Sequence, residues 1–265
     1  MDNNALYHRI RLVVAYDGTN YCGWQVQPNG VSIQTVLQAA IEDLVREKVN
    51  VTGASRTDSG VHALGQVVIF DTTRSIPPEQ YARALNQRLP RDIVVQKSEE
   101  VSPDFHPRYT TVEKTYEYRI LNRRIPLPCE RMYSYFVPRK LDADKMREAA
   151  ALFVGEHDFT DFSSQRRNVK TTVRTIYECS VLQEGDFITI RVRGNGFLYN
   201  MVRILTGMLI KAGCGQRTPE DIIYALEHPQ GRAAAPVAPA CGLTLVEILY
   251  AEESAKKTIK KIDTD

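Results

Sequence analysis

VNVTGASRTDSGVHALGQVVIFDTT, residues 49–73, holds two β-rich runs, VNVT and GQVVIFDTT, around a loop of small residues that opens at Gly53 and bends again at Gly60. Runs of Val, Ile, Phe and Thr bounded by glycine read as strands, so one strand follows another here with no helix between them. The flanking segments decide which fold contains that pair. Upstream, RIRLVVAY (9–16) reads as a buried strand ending at the turn Asp17-Gly18. In SIQTVLQAAIEDLVRE (32–47), Ile33, Val36, Leu37, Ala40, Ile41, Leu44 and Val45 keep helical spacing and share one apolar stripe. Downstream, PPEQYARALNQRLP (77–90) opens with prolines suited to a helix entrance and closes at Pro90, and DIVVQKSEEV (92–101) returns as a strand. The order β-α-β-β-α-β is the ferredoxin-like pattern: an antiparallel sheet, two helices on one face, the other face open to bind.

The second half repeats the theme more loosely. KTYEYRIL (114–121) reads as a strand, LDADKMREAAALFVGEHDF (141–159) as a helix, and TVRTIYECSVLQEG with DFITIRVRGN (172–195) as a hairpin. A long helix over 197–212, a short one in TPEDIIYALE (218–227) and a last strand in GLTLVEILY (242–250) follow. The expected architecture is α+β: two ferredoxin-like (RRM-like) halves, their antiparallel or mixed sheets flanked by helices, facing across a central cleft, where sites are usually built. The boundaries are 1–107 for an N-terminal half carrying the aspartate loop and 108–250 for a C-terminal, basic half. A tail over 251–265, too poor in apolar residues to pack, is expected to be flexible.

Composition narrows the class. With 265 residues, 43% hydrophobic and 25% charged, this is an ordinary globular chain near the length at which one core becomes two. No apolar run near the N-terminus is long enough for a signal peptide or membrane span, which makes a cytoplasmic protein the expectation. The five cysteines form no C-x-x-C pair, so reduced thiols are expected rather than zinc or redox chemistry. The net charge of +2 is uneven: residues 108–211 hold 18 Lys+Arg against 12 Asp+Glu, or +6, leaving −4 elsewhere. A basic middle in a nearly neutral chain suits a polyanion, though scattered surface charge gives the same sum.

Few residues offer chemistry. Asp58, next to Gly60, stands where a turn can present a carboxylate at the end of a sheet; an Asx-turn or helix cap is the other use of Asp in T-D-S-G. Arg56, two residues away on an extended strand, would share its face as a salt-bridge partner or contribute to a site. The five histidines show no H-x-x-x-H spacing, and there is no G-x-S-x-G elbow and no G-x-x-x-x-G-K loop, so neither a metal, a nucleotide cofactor nor a hydrolase triad is expected. Lys114, Tyr116, Tyr118 and Arg119 interleave rings and cations, as a base-stacking platform or as ordinary cross-strand packing. In NGFLYNMVRILTGML (195–209), Met201, Ile204, Leu205 and Met208 form a stripe that leaves Arg203 opposite with Tyr199, either solvated or paired with a carboxylate or phosphate. Arg166, Arg167, Lys170 and Arg174 make a basic loop able to touch phosphates.

Four stretches taken together, YDGTNYCGWQVQ (16–27), SRTDSGVHALGQV (55–67), KTYEYRI (114–120) and NGFLYNMVRILTG (195–207), resemble the tRNA pseudouridine synthase A family in order and spacing over residues 10 to 250. The resemblance implies the pseudouridine synthase fold and isomerisation of uridine to pseudouridine in the anticodon stem-loop of tRNA. It also implies a homodimer that needs no cofactor and no metal. The essential aspartate of the family's R-T-D motif falls on Asp58 and its arginine on Arg56. The aromatic residue that stacks on the target base falls on Tyr116, and the arginine of M-V-R, which neighbours the aspartate, on Arg203. Ser55 is a departure, since the family commonly has glycine there. Two rival readings stand beside this one: a module that holds structured RNA without altering it, and a carboxylate-dependent N-glycosidase that releases the base.

Overall fold

The computed structural model describes residues 7–28, 30–164, 170–230 and 234–251. Two compact units divide the chain: one holds the residues up to Val112 together with the segment from Leu245, the other holds Glu113–Thr244.

The first unit is built around β1 (His8–Tyr16). It pairs antiparallel on one side with β3 (His62–Thr72), Leu12 opposite Val68, and on the other with β4 (Ile93–Val101), Leu12 opposite Ser98. β2 is only Thr52–Gly53 and pairs with Ile69 and Val68 of β3, which gives the spatial order β4-β1-β3-β2 of a ferredoxin-like sheet. Helices α1 (Ile33–Val45) and α2 (Gln80–Asn86) fill the expected places. α1 starts where the Ser32 hydroxyl accepts a hydrogen bond from Thr35 N at 3.1 Å, satisfying one of the donors a helix start leaves unpaired. It stops at Arg46, whose left-handed backbone (φ 57°) ends the helical repeat. Ile33, Leu37 and Ile41 are fully buried along the stripe read from the sequence. Tyr81 of α2 meets Phe70 of β3 edge-on at 5.5 Å, fixing that helix to the same face. The last strand, β10 (Leu243–Tyr250), neighbours β3. Residue order puts it with the second half, yet from Leu245 onward it belongs to the first unit. Its pattern, LTLVEILY, is apolar enough to suit either sheet, so composition alone does not assign it.

In the second unit the sheet runs β5-β9-β8-β7, with β6 (Tyr135–Val137) parallel to β5. β5 (Thr111–Asn122) pairs antiparallel with β9 (Phe187–Gly194), which forms the expected hairpin with β8 (Val173–Glu184). α3 covers only Ala143–Ala151, capped by Asp142, and the rest of the stretch expected to be helical includes β7 (Gly155–Asp158). The helix ends at Ala151, and Gly155, whose φ of +117° no helix accepts, opens β7 three residues past the cap at Leu152. α4 begins at Met201 rather than at 197, because Asn200 is left-handed at φ 60°. Nor is α4 two-sided: Val202, Gly207 and Leu209, which lie off the expected stripe, are also buried. α5 (Pro219–Glu227) opens with a reciprocal capping box between Thr218 and Asp221. Among the described residues no helix is long and apolar enough to cross a membrane. The expected tail lies outside the described residues apart from Ala251.

Candidate active site

The 53–62 loop of the first unit is held by the segment between β1 and α1. Trp24, 1% exposed, donates its backbone N–H to the Thr57 carbonyl at 3.0 Å, and its ring lies against Gly53 at the loop's start. Tyr16 and Thr57 share a hydroxyl hydrogen bond of 2.7 Å, and the Ser59 hydroxyl donates to the Tyr21 carbonyl at 3.1 Å. Gly23, at φ +100°, lies so close that a Cβ there would stand 2.6 Å from the Thr57 carbonyl oxygen and 3.0 Å from the carbonyl carbon of Asp58. Only glycine combines that backbone with that approach. On the far side, the amide of the fully buried Gln66 side chain donates to the Ser55 carbonyl at 2.8 Å and accepts from Ser55 N at 3.0 Å.

Asp58 occupies the first position of a turn closed by Val61 N donating to its carbonyl at 3.1 Å. Gly60, the third residue of that turn, has φ +77° while Ser59 does not, which is the type II pattern. Asp58 is half-buried and Arg56 is exposed. The loop thus presents Asp58 on backbone fixed at several points, so little ordering is left to be done when a substrate arrives. Just beyond the turn, His62 Nδ1 lies 3.2 Å from Asp17 and accepts from Gly18 N at 3.2 Å, tying the two segments together again.

The sequence reading left out Arg108. It is half-buried, donates its Nε to the Gly53 carbonyl at 2.8 Å, and lies near enough to Arg56 to feel its charge. Burial first, and the like charge of Arg56 second, lower the pKa of its guanidinium. The available signal was FHPRY (105–109), in which basic and aromatic residues alternate.

The other candidates lie in the second unit. Tyr116, 9% exposed, meets Phe197 edge-on at 5.3 Å on β5. Tyr118, on the same face, is fully buried and donates its hydroxyl to the Pro239 carbonyl at 2.7 Å. It is a core residue, which removes it from the expected stacking platform. Arg119 is likewise committed, lying 3.9 Å from the Phe187 ring centroid and 3.3 Å from Glu130. Arg203, in the first turn of α4, donates to the Ala238 carbonyl at 2.7 Å and to the Asn200 side chain at 2.9 Å. Of the basic loop, Arg166 and Arg167 lie outside the described residues, and Arg174 donates to the Thr171 and Val173 carbonyls at 2.9 and 2.6 Å. All five cysteines are free, and no group of three or more His, Cys, Asp or Glu among the described residues is placed to hold a metal ion.

Comparison with known proteins gives a consistent result. Residues 12–110 and 149–251 match the family described as tRNA pseudouridine synthase. The chain is 47% identical over 243 residues to tRNA pseudouridine synthase A 2 of Clostridium tetani (strain Massachusetts / E88), covering 91% of this chain and 98% of that one. Its identity to tRNA pseudouridine synthase A of Acetivibrio thermocellus is 45% over 241 residues, covering 91% of this chain and 99% of the relative.

Proposed function

The chain belongs to the tRNA pseudouridine synthase family, and from that premise we propose that Asp58 is the carboxylate with which it isomerises uridine to pseudouridine, on uridines of the anticodon stem-loop. The observation that carries the assignment is the Asp58 turn, pinned by Gly23, Trp24 and Tyr16. A fixed backbone that presents a single carboxylate is what a reaction dependent on one acidic group needs. The reaction breaks the N-glycosidic bond of uridine, turns the base and rejoins it to the ribose through carbon, with no net redox change and no co-reactant. An ionised carboxylate supports it either as a nucleophile toward the ribose or by taking a proton and stabilising charge on the sugar.

A base inside a stem must be turned out of its stack, at a cost of a few kcal/mol that contacts to phosphate and base must offset. Arg56, Tyr116 and Arg203 are the residues we assign to binding the substrate. Arg56 contacts phosphate or fills the space the base leaves, Tyr116 stacks on the base, and Arg203 favours the charged form of a carboxylate. The same reading takes the enzyme to be a cytoplasmic homodimer, which light scattering on the purified protein tests.

The deciding experiment maps pseudouridine by carbodiimide in unmodified tRNA transcripts incubated with wild type or Asp58→Ala, with gel shifts of both. Stops in the anticodon arm with wild type, and none with a variant that still binds, are expected. A variant that still isomerises uridine would overturn the role of Asp58. Release of free uracil would replace isomerisation with glycosidase chemistry.

A further inference from the structure

Residues 105–111 of the first unit form a turn fastened from several sides. Thr110 donates its N–H and its hydroxyl to the His106 carbonyl at 3.2 and 2.6 Å. Arg108 N donates to His106 Nδ1 at 3.2 Å, and the Tyr250 hydroxyl donates to the Pro107 carbonyl at 3.0 Å. On this rigid base Tyr109 stacks face to face on the His106 ring at 4.2 Å and 23°, yet remains 86% exposed. One face of the ring is covered and the other is open. Burial does not explain an aromatic side chain placed in this way, because the position removes almost none of its surface from water.

Next to it in the chain is Arg108, whose hold on the Gly53 carbonyl brings it to the loop that carries Arg56 three residues on, close enough to feel that charge. Arg108 uses Nε on Gly53, which leaves its four terminal N–H groups, and neither guanidinium meets a carboxylate among the described residues. Two cations near each other without an acidic partner repel in the free protein. A phosphodiester placed between them reverses that sign, and the forked end of an arginine matches two phosphate oxygens at once.

We propose that Arg56, Arg108 and Tyr109 form one RNA contact point beside the Asp58 loop, in which the two guanidiniums grip a backbone phosphate and the open face of Tyr109 receives a base. The inference rests on the reading of the chain as an enzyme acting on tRNA, and adds Arg108 and Tyr109 to the residues that recognise it. Because Arg108 also braces Gly53, the joint orders the phosphate and the catalytic loop together. A base stacked on an exposed ring is held without regard to its identity, so this contact serves several tRNAs equally.

The test is filter binding of an unmodified tRNA transcript over a series of KCl concentrations, with wild type, Tyr109→Ala, Tyr109→Phe and Arg108→Gln, and a melting curve for each protein. Tyr109→Ala is expected to weaken binding at least about fivefold with an unchanged salt dependence, and Tyr109→Phe to restore it. Arg108→Gln is expected to weaken binding and to flatten the slope of log affinity against log salt by about 0.7 to 0.9, the loss of one phosphate contact. Wild-type affinity in Tyr109→Ala overturns the stacking contact. An unchanged slope in Arg108→Gln, with or without a lower melting temperature, overturns the phosphate contact and leaves Arg108 as a brace for Gly53. Wild type that forms no pseudouridine in tRNA would instead defeat the functional reading on which the proposal rests.

Discussion

Ser55→Ala should make the protein more stable. Ser55 is 4% exposed, and its hydroxyl is the one buried side-chain polar atom among the described residues without a hydrogen-bond partner. Leaving a buried hydroxyl unpaired costs about 1 to 3 kcal/mol of lost hydration. Alanine removes that cost and keeps both backbone bonds to Gln66. Against the gain stand the contacts of one oxygen, each worth about 0.1 to 0.2 kcal/mol. The net effect is a stabilisation of roughly 1 to 2 kcal/mol, or a rise in Tm of roughly 2 to 8 °C for a chain of this size. Ser55→Gly should fall below alanine by about 0.5 to 1 kcal/mol, because glycine frees the unfolded backbone. Ser55 is not among the positive-φ residues, so glycine relieves no strain there. Calorimetry of the three proteins, with urea titrations at constant m, makes the comparison. A Tm for Ser55→Ala at or below wild type would mean that the hydroxyl is hydrogen-bonded in solution, and would refute the reasoning.

Gly23→Ala should lower kcat by about a hundredfold or more while tRNA binding changes little, because a Cβ at that point displaces residues 57–59 and with them the carboxylate; single-turnover rates and gel shifts check it. Leu37→Ala, at a fully buried position of α1, should cost about 2 to 5 kcal/mol in urea denaturation. Burial pushes the Glu47 carboxyl up, but hydrogen bonds from Thr72 and Thr73 and the charge of Arg74 outweigh it and hold its pKa below the usual carboxylate range. Its contribution is therefore complete above the unfolded value of about 4.3 and is lost as pH falls through the lower folded value, so Glu47→Gln should flatten the acid limb of a stability-against-pH curve. Exposed Cys129 should react with a thiol reagent in the native protein, whereas Cys179, buried with its thiol pushed up to about 12, should react only after unfolding.

The first unit was largely legible because its signals are local. The Ser32 cap, the stripe of α1 and the glycines around residues 53–62 each act within a few residues of where they stand. Where packing partners decide, the sequence was silent. Tyr116 and Tyr118 have the same side chain, two residues apart on one face of β5, yet one meets a neighbouring ring edge-on and the other is sealed under the Pro239 carbonyl. Strand periodicity tells which side chains share a face and not what covers that face. The end of β10 is a similar case, since its pattern is apolar in either sheet. Asn200 hid the start of α4 because a single left-handed residue leaves no mark in hydrophobic spacing.

The candidate site shows a different limit. Asp58 was legible as an acidic residue on a glycine-bounded turn, but the reason it can be held still lies some 35 residues earlier, in a segment the sequence joins to it only by resemblance. Gly23 and Trp24 place no functional group of their own toward a substrate; one gives up a side chain so that the backbone of Thr57 and Asp58 can approach, and the other fills the space beneath Gly53. YDGTNYCGW and SRTDSG are therefore two halves of one mechanical part. Changing the first should affect turnover by moving the second, and the kinetic signature should be a loss in kcat at nearly constant affinity. Arg108 makes a third point of support for the same loop, through Gly53. If its terminal N–H groups also hold a phosphate, RNA binding tightens the brace that fixes the carboxylate, and the contact with substrate and the order of the catalytic turn become one event.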